Sequence, residues 1–288
     1  MTISNRIILA LSLTAATNSN VALSTSVPTL NINNLFDNLK GYKKLTGGWH
    51  AGHLYEHMVW VAKAMQDMFD KKSPWLEEIA DNPGIRKIMI IAAFMHDIGK
   101  AGDNKRLYNI KPNHPRVGFE YLLSRRPFYI DDQKTTTYDF NTWASTLKLT
   151  PQERATIAVL TGMHQEFAYV LTNLKKGRMT TTLFEEYLEK LTGYVQEAFY
   201  NNGMVDEQIV RMSLALFRAD FEGMRRVDCT LHDVANIPNE TESLACVSIP
   251  NGDTIDTAGY TLAQTLIEYF KATRKIAHAK KEKTTLIV

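Results

Sequence analysis

The chain has 288 residues, 44% apolar and 22% charged, a balance that suits one or two folded domains and excludes disordered, collagenous and fibrous classes. Lys and Arg number 33 against 31 Asp and Glu, and a net charge of +2 demands neither nucleic acid nor an anionic membrane as partner. The two cysteines, Cys229 and Cys246, exclude a disulfide scaffold and a four-thiolate zinc site and leave the redox compartment open.

Residues 1–36 carry a single charge, Arg6, followed by the apolar run Ile7–Ala16 and a small-residue zone holding Ala15, Ala16, Ala22 and Ser24. That order is the layout of a secretory signal peptide, so residues 1–24 read either as an export signal or as an N-terminal helix or arm packed on the domain. Localisation, cytoplasmic or exported, turns on which it is. No stretch reaches the roughly 20 apolar residues that span a bilayer.

From Leu35 to about Val234 apolar residues recur every three to four positions with few alternating runs, which predicts a mostly helical fold. Helices are expected at Leu54–Phe69, Gly84–Met95, Pro115–Leu123, Pro151–Met163, Leu183–Phe199, Asp206–Met224 and Thr261–His278. Thr150, Pro151 and Glu153 form a capping box with proline at the first helical position. Thr135–Asn141 reads as a polar loop. Between Asn236 and Thr257 the pattern turns to Pro, Asn, Thr and Gly, and the Asn251-Gly252 turn suggests a small β-hairpin near 245–256. The expectation is an all-α fold in three parts: an N-terminal segment 1–36, one domain over 37–235, and a polar flap with C-terminal helix and basic tail, 236–288, packed on that domain.

The chemistry lies in histidines and aspartates set on apolar helices. Ile88–Met95 is apolar throughout and runs into His96-Asp97-Ile98-Gly99-Lys100; a buried carboxylate there needs a partner cation, unless the polar residues surface at a helix end. His57 shares the inward stripe of Leu54, Met58, Val61 and Met65. His114 precedes Pro115 and is expected to cap a short helix. His164 continues the face of Ile157, Leu160 and Thr161, and Asp220 sits beside Ser213, Leu216 and Phe217. Each has a structural explanation alone, as a core histidine, a cap or a helix end. One shared metal site accounts for all six, and a donor set of four His and two Asp without Cys suits Fe, Mn, Co, Ni or Zn. Two divalent ions bridged by Asp97 are the economical arrangement, since six protein ligands are too many for one structural zinc.

The order His57, His96-Asp97, His114, His164, Asp220 resembles the HD-domain superfamily of metal-dependent phosphohydrolases over roughly residues 50–225. Glu56-His57-Met58-Val59-Trp60-Val61-Ala62 is similar to that family's first-histidine helix, His96-Asp97 with Gly99-Lys100 to its doublet, and His114-Pro115-Arg116-Val117-Gly118 through Leu123 to its third-motif helix. The resemblance implies an HD-type helical bundle, and the two additional histidines, His114 and His164, imply the dinuclear subclass. Lys100 stands where one-metal nucleotidases of the family carry a glutamate, which suits contact with a phosphate oxygen. His164 is followed by Gln165 and no Gly-Tyr-Pro stretch exists, which disfavours a cyclic dinucleotide substrate.

The implied activity is hydrolysis of a phosphomonoester or phosphodiester, with a small phosphorylated substrate such as a nucleotide. Asp97 and Lys100 are the expected catalytic residues, and Lys100, Arg116, Arg125 and Arg218 the expected substrate-binding cations, with Arg126 behind them. Glu166 is a candidate for orienting water or leaving group, against a plain solvated carboxylate; His50 and His53 lie before the first motif with no assigned role. Two other readings stay open: an HD-fold di-iron oxygenase, which uses the same ligand types, and a non-catalytic nucleotide-binding domain. The basic stretch Lys271–Lys283 could hold a nucleic-acid backbone, but lacks interleaved aromatics and reads first as a solubilising tail. Asn239-Glu240-Thr241 is a glycosylation acceptor only in a eukaryotic secretory setting.

Overall fold

Helix ends in this protein are set by short polar side chains written into the sequence. Asn82 accepts from the backbone N–H groups of Gly84 and Ile85, with Pro83 as the first helical residue. The Thr150–Glu153 capping box forms as expected, with Glu153 N–H donating to Thr150 Oγ1 at 3.1 Å and Thr150 N–H to Glu153 Oε2 at 2.7 Å. One expected cap is corrected: Asn113, not His114, caps the third helix by accepting from Arg116 N–H, and His114 is its first helical residue.

The computed structural model describes residues 54–100, 113–129, 137–201, 203–225 and 252–285. The proposed export signal, His50, His53, Asn239, both cysteines and residues 236–251 of the expected flap lie outside them. The helices in chain order are α1 (Leu54–Asp70), α2 (Pro83–Met95), α3 (His114–Leu122), α4 (Phe140–Thr146), α5 (Pro151–Met163), α6 (Glu166–Leu174), α7 (Thr180–Ala198), α8 (Glu207–Arg225) and α9 (Gly252–Thr285). Short 3-10 turns at Pro74–Leu76 and Ile98–Lys100 follow α1 and α2. Helix makes up 76% of the described chain, so the fold is all-α with one small hairpin.

That hairpin lies elsewhere than expected. β1 (Phe128–Tyr129) pairs antiparallel with β2 (Thr137–Tyr138), which lies inside the segment Thr135–Asn141 read as a loop, whereas residues 252–256 already belong to α9. An aromatic cluster explains the location: the Tyr121, Phe128, Tyr138, Phe140 and Trp143 rings meet edge to face, with Tyr121 and Phe140 stacked. The hairpin and α4 thus form one satellite core against the end of α3.

Helix α5 is the hub, packing on α2, α3, α7 and α8, while α1 packs on α2 and α8. Burial matches that position: Ile157 through Leu160 and Met89 through Met95 are at most 3% exposed, so α2 and α5 are apolar nearly all round. Gly223 lets α8 meet α1 closely, because a Cβ there would stand 2.9 Å from the backbone of Val61. The α9 helix covers α7 and α8. Its basic residues serve that contact: Lys271 pairs with Glu207 at 3.1 Å, and Arg274 donates to the Val205 carbonyl and lies over the Phe270 ring. Among the described residues, no helix is long and apolar enough to cross a membrane.

Candidate metal centre

Five elements deliver the six sequence-selected residues to one place. His57 projects from the buried stripe of α1, and Asp220 faces it from α8 across the contact that Gly223 permits. His96 is the C-cap of α2 and Asp97 follows it; His164 is the C-cap of α5; His114 opens α3. The four histidines and Asp97 are at most 8% exposed, and the Asp220 side chain is 17% exposed.

The convergent atoms form two sets that share Asp97. In the first, His57 Nε2 lies 3.1 Å from His96 Nε2, 3.5 Å from Asp97 Oδ2 and 3.2 Å from Asp220 Oδ1. In the second, His114 Nε2 lies 3.2 Å from His164 Nε2 and 3.0 Å from Asp97 Oδ1, which is 3.4 Å from His164 Nε2. Ligands bound about 2.1 Å from one ion at tetrahedral to octahedral angles stand about 3.0 to 3.4 Å apart, and both sets match that spacing. Three triads have their atoms within metal-binding reach of one another: His57, His96 and Asp97 in the first set, Asp97, His114 and His164 in the second, and His96, His164 and Asp220, which joins the two.

The donor chemistry fits as well as the spacing. His96 Nδ1–H donates to the Ala93 carbonyl at 2.7 Å and His164 Nδ1–H to the Thr161 carbonyl at 2.8 Å, which leaves Nε2 as the atom of each ring that faces the centre. Asp97 Oδ1 and Asp220 Oδ1 are buried and accept no hydrogen bond of good geometry, although imidazole nitrogens stand 3.0 and 3.2 Å away. Buried carboxylate oxygens in that position are costly unless a cation meets them. The field acts in the same sense. Burial opposes a charge on His96, but Asp97 and Asp220 outweigh it and push that ring up to about 10. His114 is driven down to about 4 by burial, with His164 and Lys100 adding to it against the opposing pull of Asp97. Burial alone would raise both carboxyls; Lys100 and His96 hold Asp97, and His96 and His57 hold Asp220, well below the usual carboxylate range.

Lys100 reaches the centre, with Nζ 2.6 Å from Asp97 Oδ2. The expected arginine clamp does not. Arg116 makes a two-pronged bond to Glu197 at 2.6 and 2.7 Å and a third to Glu120, and Arg125 bonds the same Glu197 carboxylate and its carbonyl. Arg126 pairs with Glu120 at 3.0 Å. These guanidinium groups tie α3 and the turn after it to α7, and none lines the cleft over the centre. Arg218 pairs with Glu222 at 3.1 Å and stands behind the cleft wall without lining it. Glu166 is engaged by Lys190 at 2.6 Å, which takes it out of the orienting role considered for it.

The Glu197 clamp yields a test of its own. Hydrogen bonds from Arg116 hold its carboxyl below the usual glutamate value, against a smaller cost of burial. Glu197→Gln is expected to cost about 0.5 to 1 kcal/mol near neutral pH, the range of partly exposed pairs. The wild-type advantage is full above the ordinary glutamate value of about 4.3 and disappears as pH falls through the lower folded-state value. Denaturant titrations of both proteins across that range check it; a difference that does not change with pH would exclude the clamp.

A cleft of about 410 Å³ opens onto the centre. Asp97, Lys100, His164 and Asp220 contribute its deepest lining. Its walls are Tyr169 from α6 and Phe217 and Phe221 from α8, and Lys176 stands exposed at the rim. Tyr169 escaped the sequence reading because α6 did. His164 and Gln165 keep helical backbone angles, so the chain passes from α5 to α6 without a Gly or Pro signal, and α6 buries only Phe167 and Val170. The available signal was a polar face: Gln165, Tyr169, Thr172 and Lys176 recur at helical spacing and all line the cleft.

Comparison with protein-family models, with curated proteins and with solved structures finds no match for this chain. The fold and the centre therefore define it by themselves as an all-α protein with a buried four-histidine, two-aspartate cluster of metal-ligand geometry.

Proposed function

We propose that this chain is a dinuclear metal-dependent phosphohydrolase of the HD type, cleaving a phosphomonoester or phosphodiester, with nucleotides as the favoured substrate class. One observation carries the reading: the two oxygens of Asp97 face two different pairs of histidines, as a bridging carboxylate between two ions requires. Divalent Fe, Mn, Co, Ni or Zn held there would bring the pKa of water toward neutrality and neutralise charge growing on phosphoryl oxygens. His57, His96, Asp97 and Asp220 would hold one ion, and Asp97, His114 and His164 the other.

The remaining work falls to the cleft. Lys100 is placed to exchange Asp97 for a phosphate oxygen, since the carboxylate then turns to the ions and the ammonium needs a new anion. Lys176 at the rim adds a second cation, and a cleft of about 410 Å³ lies within the size range of small-molecule sites. The lysines favour a phosphorylated substrate over the small polar substrate of a di-iron oxygenase, although the ligand types suit both.

Metal-supplemented protein is expected to hold about two ions per chain and to release phosphate, or open a phosphodiester, from at least one member of a panel of mononucleotides, cyclic nucleotides and dinucleoside polyphosphates. Fewer than one ion per chain in folded protein would remove the dinuclear reading. Substrate loss coupled to oxygen uptake, and absent under nitrogen, would move the assignment to the oxygenase. Two bound ions with no turnover would leave a nucleotide-binding domain.

A further inference from the structure

The two walls of the cleft are built alike. Tyr169 on α6 is 43% exposed, a large apolar ring left in water although α6 has a buried face available. Its position is nevertheless fixed from behind: Lys190 Nζ stands 5.0 Å from the ring centroid, and Arg178 Nη1 donates to Tyr169 Oη at 3.0 Å. Both cations are themselves anchored, Lys190 on Glu166 and Arg178 on Glu186. On the opposite wall Phe221 lines the cleft with the Arg218 guanidinium 6.0 Å from its ring centroid, and Arg218 is held by Glu222. Neither Lys190 nor Arg178 lines the cleft, so the side of Tyr169 away from Lys190 is the side that meets it.

An exposed ring held rigid by an anchored cation on one face has lost its motional freedom before any ligand arrives, which lowers the cost of stacking on the other face. Its distance from the centre is also suitable. Tyr169 stands one helical turn beyond Gln165, with its N–H bonded to the Gln165 carbonyl, and Gln165 directly follows the ligand residue His164. Five residues from His164 are about 7.5 Å of helix axis, on the scale of a nucleotide from its phosphate to its base.

We infer that Tyr169, with Phe221 across the cleft, is a stacking platform for a planar aromatic group of the substrate, making it the specificity-determining residue that separates nucleotides from aliphatic phosphoesters. This rests on the phosphohydrolase reading for the position of the phosphate, but the stacking itself needs no turnover. Lys100 meets the phosphoryl group near Asp97, and the ring of Tyr169, five residues along from His164, receives the base.

The test compares the full chain, with manganese supplied, with its Tyr169→Leu, Tyr169→Phe and Tyr169→Trp variants. Equilibrium dialysis measures binding of the four common nucleoside 5′-monophosphates and of glycerol phosphate, and initial rates of phosphate release are measured on the same compounds. Tyr169→Leu is expected to weaken the best-bound nucleotide about tenfold or more, the size of one base–aromatic stack, and to leave glycerol phosphate within about twofold. Tyr169→Phe and Tyr169→Trp should bind that nucleotide within about threefold of the parent, because the ring and not the hydroxyl carries the contact. Equal weakening of nucleotide and glycerol phosphate, unchanged nucleotide binding in Tyr169→Leu, or no preference for nucleotides in the parent would each overturn the platform. Failure of hydrolysis reads differently: no phosphate from any compound, with Tyr169-dependent nucleotide binding intact, removes the hydrolase and keeps the stacking site.

Discussion

Asp97→Asn is expected to reduce the bound metal from about two ions per chain to one or none, and to lower any turnover by at least the hundred- to thousand-fold that a single preorganised stabilising group is worth. The reason is geometric before it is electrostatic. Asp97 Oδ2 faces His57 and His96 while Oδ1 faces His114 and His164, so one side chain serves both sets. An amide of the same shape keeps one acceptor oxygen and presents N–H donors to the other set, where the lone pair of His164 Nε2 already faces. Metal-dependent stabilisation should fall with it. An ion at a hundred times its dissociation constant raises stability by about 2.7 kcal/mol, an upward shift in melting temperature that Asp97→Asn should largely lose. Metal analysis after dialysis, with melting curves with and without manganese, measures both. Two ions retained by Asp97→Asn would show that Asp97 does not bridge.

Gly99→Ala should be the most damaging single methyl group in the described chain. A Cβ at Gly99 would lie 1.9 Å from the His114 carbonyl oxygen and 2.7 Å from the Gly118 nitrogen, and both are backbone atoms of α3 that cannot rotate away. The turn carrying Asp97 and Lys100 would have to separate from α3, and His114 would move away from Asp97 with it. Overpacking of a core costs about 1 to 3 kcal/mol when side chains can yield, and a backbone clash belongs at or above the upper end. At about 2 to 4 °C per kcal/mol in a chain of this size, the melting temperature should drop on the order of 6 °C or more. Gly193→Ala supplies the contrast. A Cβ there meets nothing within 4 Å, and an alanine inside α7 should be neutral or stabilise by up to about 1 kcal/mol. Thermal melts of the two variants beside the parent decide it; a Gly99→Ala protein as stable as the parent, with its metal content intact, would refute the close approach.

That contact also shows what a sequence can and cannot reveal here. The six residues of the cluster were legible because each is a polar group on a helix otherwise committed to the core, or at its end, and periodicity alone says which side of a helix is inward. The helix start at Pro151 was legible because its capping box acts within three residues. Arg116 and Arg125 misled because their shared partner has no local mark: Glu197 lies 81 residues from Arg116, and only the packing of α3 near α7 joins them. α6 was hidden for a different reason. It contributes only two buried residues, too few to form a stripe, and spends its other face on the cleft. The hairpin lies where five aromatic rings from separate segments meet, a long-range arrangement that the Asn-Gly turn signal near residue 252 could not anticipate.

The direction of two helices carries one more consequence. α2 and α5 both terminate at ligand histidines, and the carbonyls of their last turns bond those rings from behind. The trailing end of a helix carries roughly half a negative charge, so two such ends raise negative potential at the centre before the aspartates are counted, and the leading end of α3 at His114 offsets only about one of them. A phosphate arriving first would be repelled there, and one arriving after the cations would be attracted. On the phosphohydrolase reading proposed above, chain polarity would therefore impose a filling order on the centre, with cations first and the phosphoryl group second.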